Sequence, residues 1–455
     1  MRSPWSYFWS WRDAMAPGQP QIVRSWGNVV RGVHSVYRPN SRFQAFPSLP
    51  AHTSILPFGN GRSYGDSCLN VGGALLKTQA LDHFIQFDVK TGTLRCEAGV
   101  QLADILRLVT PQRWFPPVLP GTQYVTVGGA IANDVHGKNH HQAGTFGAHV
   151  RRLELLRSDG ERIVCAPDQH PKWFAATVGG LGLTGLITWA DIQLRPVSGP
   201  WMEVESVRCA CLDELLERSV ESAADFEYTV AWVDCAAGRR RLGRGLLQRA
   251  NHAQIDDTGP VARIVPQLRL PFLPPCSLVN PTTLRMFNSL HYRRHPLRAR
   301  SLVHYERFFF PLDRIHQWNR LYGPRGFYQY QCVVPAQCAR EAVRKLLQTI
   351  ASSGEGSFLA VLKCFADRPS PGVLSFPLPG VTLALDFPNR GLRSTQLFDR
   401  LDVIVSEANG RLYPAKDARM PATLFRSGYP AQDVFAQFTD VRCSSSFWRR
   451  VRTAA

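Results

Sequence analysis

Three glycine-rich segments, at residues 59–65, 120–137 and 179–185, follow one another roughly 60 residues apart, all before residue 190. Glycine has no Cβ, so such segments let backbone approach a ligand or another chain closely. The first, Pro57-Phe58-Gly59-Asn60-Gly61-Arg62-Ser63-Tyr64-Gly65-Asp66, places three glycines in seven positions. Successive N–H groups there can form a concave nest for phosphate oxygens. Its G-x-G-x-x-x-G spacing differs from the dinucleotide fingerprint of a parallel βαβ unit. Alone it reads equally as a glycine-rich hairpin. The second, Pro120 to His141, sets the small residues Gly128 to Ala132 before Asn133, Asp134, His136 and Lys138. A cofactor pocket needs this mixture of close backbone and a few placed polar groups. The third, Val178 to Ile187, alone is a tight turn before a strand. Together the three predict one shared ligand.

The surrounding pattern is of short strands and few helices. Ser54–Phe58, Ala74–Lys77, Phe84–Asp88 and Thr93–Ala98 read as strands. Gln101–Val109, with Leu102, Ile105, Leu106 and Val109 on one stripe, reads as a helix. Val127–Ala132 opens a helix or turn. Val150–Arg157 and Glu161–Cys165 form a hairpin around Ser158-Asp159-Gly160, and Leu186–Leu194 is a strand ended by Pro196. After about residue 197 glycine falls while arginine and aromatic residues rise. Val204–Cys209, Tyr228–Val233 and Phe327–Val334 read as strands, Leu212–Ser222 and Ala336–Ser352 as helices. The chain beyond 410 looks polar and loop-like, and is expected to return to the first domain. The fold class is α+β, with domains at 1–196 and 197–409 and a C-terminal segment at 410–455.

Composition narrows the function. No run of about 18 apolar residues exists, so no membrane span is expected. Met1–Trp5 lacks the apolar stretch of a secretory signal. Eleven cysteines, an odd number without paired CxxC motifs, read as free thiols of a cytoplasmic protein. His136, His140 and His141 do not have the spacing of a helical zinc motif, so no metal is expected. The net charge of +18 attracts anions. Arg239, Arg240, Arg241, Arg244 and Arg249 form one basic cluster and Arg293, Arg294, Arg298 and Arg300 another. Between them lies the apolar stretch 268–279. That arrangement suits an anionic bilayer surface, or is a solvated basic face beside a buried loop. No helix-turn-helix, zinc-finger or RNA-binding pattern accompanies the charge, so no nucleic-acid partner is expected.

The segments GNGRSYGD, PGTQYVTVGGAIANDVHGKNHHQAGTFGAHV and ATVGGLGLTGLIT resemble the FAD-binding domain of the vanillyl-alcohol-oxidase (PCMH-type) flavoproteins. The resemblance is nearest to the decaprenylphosphoryl-β-D-ribose oxidase family. VAWVDC, GFYQYQCVVP, LSFPLPGVTLALDFP and GRLYPAKDARMPATLF carry it through residues 50–430. It implies a PCMH-type FAD domain followed by an α+β substrate domain with an antiparallel sheet. By the same resemblance, Pro57, Gly59, Asn60, Gly61, Arg62, Ser63, Tyr64, Gly65, Asp66 and Ser67 cradle the FAD pyrophosphate. Gly121, Thr126, Val127, Gly128, Gly129, Asn133, Asp134, Val135 and His136 run along the flavin, and Ile187 and Tyr413 complete its pocket. Lys416 stands over the reactive face, as a base or as a counter-charge. Lys416, His136 and Tyr64 are candidates to handle the hydroxyl proton, while Lys138, Trp232, Gln331, Lys363 and Lys416 meet the sugar phosphate. Arg62 and Thr122 replace the histidine and cysteine that carry covalent flavin in the wider superfamily, so FAD is expected to be non-covalent. Ala384 stands where some members have a cysteine, and Phe309 replaces a tyrosine near the substrate entrance.

The resemblance implies hydride transfer from a sugar carbinol to flavin N5. The expected reaction is oxidation of polyprenylphosphoryl-β-D-ribose to its 2-keto form, which a separate short-chain reductase converts to the arabinose epimer. The alternative is oxidation of a soluble polyol, aldonolactone or other sugar. A cytoplasmic site with peripheral contact to the inner membrane face follows from the lipid-linked substrate.

Overall fold

The computed structural model describes residue 15 and residues 18–255, 268–269 and 273–452. The reading of Met1–Trp5, and residues 270–272 of the apolar stretch, lie outside them.

The glycine-rich half is built on two small sheets. One orders the strands Gln19–Arg24, Arg31–Tyr37, Ala74–Lys77 and Ile55–Phe58. The other orders Phe84–Asp88, Thr93–Glu97, Leu186–Gln193, Val150–Leu156 and Arg162–Cys165, all antiparallel. Helix Leu102–Val109 buries the predicted stripe, with Leu102, Ile105, Leu106 and Val109 at 1 % exposure or less. Helix Val127–Ala132 starts at Thr126, whose hydroxyl accepts the Gly129 N–H at 3.2 Å. Gly128 lets it lie close to the sheet: a Cβ there would stand 3.0 Å from that of Ala98.

The second half is an eight-stranded antiparallel sheet. Its order is Arg298–His304, Trp201–Cys209, Gly245–His252, Tyr228–Val233, Ala360–Phe365, Gly380–Pro388, Phe327–Pro335 and Arg411–Leu412. Helices Leu212–Asp225, Ala339–Ser353 and Leu392–Glu407 pack on it. Strand side chains alternate between faces. Tyr330, Cys332, Val334, Leu362, Leu383, Leu385 and Phe387 enter the core shared with Val343, Leu346, Leu347 and Leu401. Burial of each such side chain contributes about 1.5–3 kcal/mol. The intervening Gln329, Gln331, Val361, Lys363, Ala384 and Asp386 therefore share the opposite face, in register: Gln329 pairs with Asp386, Gln331 and Val361 with Ala384.

Two expectations are corrected. The chain after 410 is not loop-like: it holds helices Ala422–Gly428, Gln432–Ala436 and Ser446–Arg452. Phe425, Tyr429, Phe435 and Phe447 are buried, and Phe425 packs against Tyr429, Phe447 and Trp448. Lone aromatics between polar residues give little periodicity, which hid these helices. This segment also meets the first sheets. Arg450 joins Asp66 to Asp417, Arg157 and the Ser158 N–H meet Asp440, and Ile55 bridges Cys443. The second concerns the basic clusters, part of which is ion-paired within the fold while Arg298 and Arg300 stay exposed. Arg249, Arg298 and Arg300 all reach Glu205, and Arg244 is buried against Asp234.

Candidate active site

The three glycine-rich segments converge on one cavity of about 330 Å3, closed on its far side by the polar face of the eight-stranded sheet. That volume lies within the range of about 300–1,000 Å3 usual for ligand clefts. Strand Ile55–Phe58 delivers the first loop. Gly59 is required there, because a Cβ would stand 2.4 Å from Thr126 Oγ1. Gly61, at φ +58°, turns the chain into the left-handed region. Asn60 Nδ2 donates to Tyr124 O at 3.0 Å, tying the first loop to the second. The Arg62 guanidinium lies 4.3 Å from the Trp26 ring centroid. At Gly65 a Cβ would fall 1.8 Å from Asp417 O, and Tyr64 N donates to Ala415 O at 3.0 Å. The first loop is thus pinned against the loop that carries Lys416.

Of the residues expected at the cofactor, Pro57, Gly59–Tyr64, Ser67, Gly121, Thr126, Gly128, Gly129, Asn133, Val135, His136, Ile187 and Tyr413 line the cavity. Gly65, Asp66, Val127 and Asp134 do not. Asp66 binds Arg450, Val127 is core, and Asp134 accepts the Gly147 N–H at 2.9 Å and the Ser375 hydroxyl at 2.5 Å. Gln331, Lys363 and Lys416 line the cavity from the sheet side. Lys138 and Trp232 are outside it: Lys138 donates to Phe308 O over the Phe308 ring, and Trp232 Nε1 donates to Phe358 O. Phe309 is buried among Phe115, Tyr228 and Phe308. Sequence reading missed Trp26, Cys68, Asp313, Trp318, Gln329, Val361 and Asp386 in the lining. The alternation in LALDFP held the signal for Asp386.

Electrostatics concentrate where loops and sheet meet. Lys416 Nζ sits 3.9 Å from the Tyr64 ring centroid, and burial lowers its ammonium's hold on a proton. Lys363 Nζ lies 3.0 Å from His136 Nδ1, and burial, then the Lys416 charge, bring it down to about 7. His136 is held well below the usual imidazole range by burial and then by Lys363. Burial raises the Asp386 carboxyl and holds Tyr64 protonated.

The residues present fit FAD. Close backbone at Gly59–Gly61, and the buried, unpartnered Arg62 Nε and Ser67 Oγ, suit a pyrophosphate. Gly128, Gly129, Gly182 and Gly185 leave room along a flat ring system. Arg62 and Thr122, expected at the two flavin-attachment positions, are engaged with the protein itself. Thr122 Oγ1 donates to Asp313, and Arg62 lies on Trp26.

A model of the FAD binding domain matches residues 50–166. Fold and site together define an FAD-dependent oxidoreductase that acts on CH–OH groups. The chain is 39 % identical over 391 residues to decaprenylphosphoryl-β-D-ribose oxidase of Mycolicibacterium smegmatis, covering 83 % of this chain and 84 % of that protein. It is 35 % identical to an uncharacterized Streptomyces coelicolor protein, covering 74 % of this chain and 94 % of that one. Alditol oxidase of a Streptomyces species is 30 % identical over 27 % of this chain and 29 % of its own length. The chain belongs to the decaprenylphosphoryl-β-D-ribose oxidase family.

Proposed function

We propose that the chain oxidises the 2-hydroxyl of a polyprenylphosphoryl-β-D-ribose to the 2-keto sugar. One observation carries this reading: the cavity is polar at its sheet wall and apolar at Leu312, Trp318 and Leu359. Lys363 and Lys416 offer donors to a sugar phosphate, and the apolar lining suits the first units of a prenyl chain. FAD, when bound, supplies the two-electron acceptor. The protein's own side chains orient the sugar and receive its hydroxyl proton.

A lipid-linked substrate calls for contact with a membrane surface. No described helix is long and apolar enough to cross one. Helix Pro281–Arg294 instead exposes Met286 (68 %) and Leu290 (54 %), with Leu297 (70 %) just beyond it and Arg285, Arg293 and Arg294 beside them. Such an apolar stripe with a cationic border suits the inner-face bilayer surface. A separate short-chain reductase completes the epimerisation.

The test is the visible spectrum of the anaerobic, FAD-loaded protein with farnesylphosphoryl ribose. Bleaching is expected. A flavin band that stays oxidised, but bleaches with free alditols or lactones, overturns the lipid-sugar reading in favour of a soluble substrate. For the membrane contact, M286E/L290E is expected to abolish flotation with anionic vesicles. Equal flotation of variant and wild type refutes it.

A further inference from the structure

Oxidation of an alcohol needs an acceptor for the hydroxyl proton, and the cavity holds several titratable groups. The hydrogen bonds sort them. Thr382 Oγ1 gives its proton to Cys332 O at 2.8 Å, so it can only accept from the Gln331 side chain 3.3 Å away. This fixes the Gln331 NH2 group, which therefore donates to His136 Nε2 at 3.0 Å. His136 Nδ1 faces Lys363, which also donates to Gly137 O at 3.4 Å. Both ring nitrogens of His136 are thus engaged, Nε2 by Gln331 and Nδ1 by Lys363. The cavity is lined by two carboxylates, Asp313 and Asp386. Asp313 Oδ2 accepts from Thr122 Oγ1 and the Gln123 N–H, at 3.1 and 3.0 Å.

Asp386 differs. Its Oδ1 accepts from Gln329 Nε2 at 2.6 Å, and its N–H donates to Ser357 Oγ at 3.0 Å. Its Oδ2 is fully buried without a partner. A buried carboxylate oxygen with nothing to accept is costly, and a ligand hydroxyl relieves it. The charged and titratable groups facing it are Lys416, Tyr64 and Tyr322, with Gln329 the neutral donor. Tyr322 and Tyr64 are held protonated by burial.

We propose that Asp386 is the catalytic base, receiving the substrate's hydroxyl proton on Oδ2 while Gln329 fixes Oδ1 and the Lys416 ammonium balances the carboxylate charge. The proposal rests on the reading of the site as a CH–OH oxidase. In the step the O–H bond breaks and its proton bonds to Oδ2. The carbon–hydrogen bond breaks with the hydrogen and its electron pair passing together, as hydride, to oxidised FAD, and the carbon–oxygen double bond forms. Burial lifts the carboxyl from its ordinary range toward neutrality, which suits a general base.

The experiment compares wild type, D386N and K416R, all FAD-loaded. D386N preserves shape and the acceptor for Gln329. In it the flavin spectrum is expected to persist while the anaerobic bleaching rate falls about 10²- to 10⁴-fold. The acid limb of the wild-type pH–rate profile is expected to vanish. K416R keeps a cation that cannot lose its proton, and is expected to retain the limb. A readout without substrate is the infrared pH-difference spectrum: the carbonyl band of a protonated carboxyl near neutral pH is expected in wild type and lost in D386N. Bleaching by D386N within threefold of wild type with the limb intact overturns the proposal, as does loss of the limb in K416R alone. If farnesylphosphoryl ribose leaves wild type oxidised, the substrate reading has failed. The infrared band then still judges Asp386.

Discussion

Arg450 offers a sharp test of how the cofactor loop is held. It binds Asp66 through Nη2 and Nε, at 2.7 and 3.0 Å, and Asp417 at 3.0 Å. The two carboxylates are only 8 % and 7 % exposed. Removing one partner of a buried pair costs about 3–5 kcal/mol. Asp417 keeps the Arg419 and Met420 N–H groups, so the loss falls on Asp66. Arg450 itself is 26 % exposed, which puts R450M at the lower end, about 3 kcal/mol. At about 2.1 cal/mol/K per residue over 455 residues, unfolding as one unit has an entropy near 1 kcal/mol/K, so the midpoint should drop about 3 °C. Release of flavin fluorescence on heating reads this directly. Because the penalty is an unpaired carboxylate, D66N/R450M should regain most of the loss. Burial already raises the Asp66 carboxyl. Without Arg450 it rises further, so the gap between R450M and wild type should narrow as pH falls from 8 to 5 and Asp66 takes up its proton. A midpoint unchanged in R450M, or a double variant no better than the single, refutes this account.

Other outcomes follow from the same geometry. G59A drives Cβ into Thr126 Oγ1, disturbing the start of helix Val127–Ala132 at a cost of about 1 kcal/mol, and should yield protein deficient in FAD by absorbance. Acid precipitation of the holoprotein should release all the yellow colour to the supernatant, since neither Arg62 nor Thr122 can carry the flavin. Colour in the pellet contradicts that. Lys138 and Lys363 are held to about 7 in the fold against 10.5 unfolded, mainly by burial. Between these values the unfolded chain binds more protons, so stability rises with pH, by about 1 kcal/mol per unit for each lysine. Urea midpoints should climb from pH 7 to 8.5, and K138M should flatten the climb. A flat wild-type profile would contradict it.

Much of the first half was legible because its signals are local. The Ser158-Asp159-Gly160 turn, the stripe of helix Leu102–Val109 and the glycine spacing each act within a dozen residues. The second half resisted for a physical reason. The alternation of Leu383, Leu385 and Phe387 against Ala384 and Asp386 is plain in the chain, yet which face meets the cavity depends on strands more than 50 residues away. The basic clusters read as free charge because Glu205, which pairs with three arginines, precedes them by between 44 and 95 residues. Lys138 lies in the motif that carries the family resemblance, but its amine turns to the Phe308 carbonyl rather than to the cavity.

The link between Asp66 and Arg450 joins residues 384 positions apart. During synthesis, the first glycine-rich loop emerges well ahead of the guanidinium that steadies it. The nascent chain therefore has every glycine of that loop long before the ion pair that stiffens it can form. A chain cut just ahead of Ser446 would keep most of its sheets but leave Asp66 unpaired, so its first loop would loosen before the rest on heating.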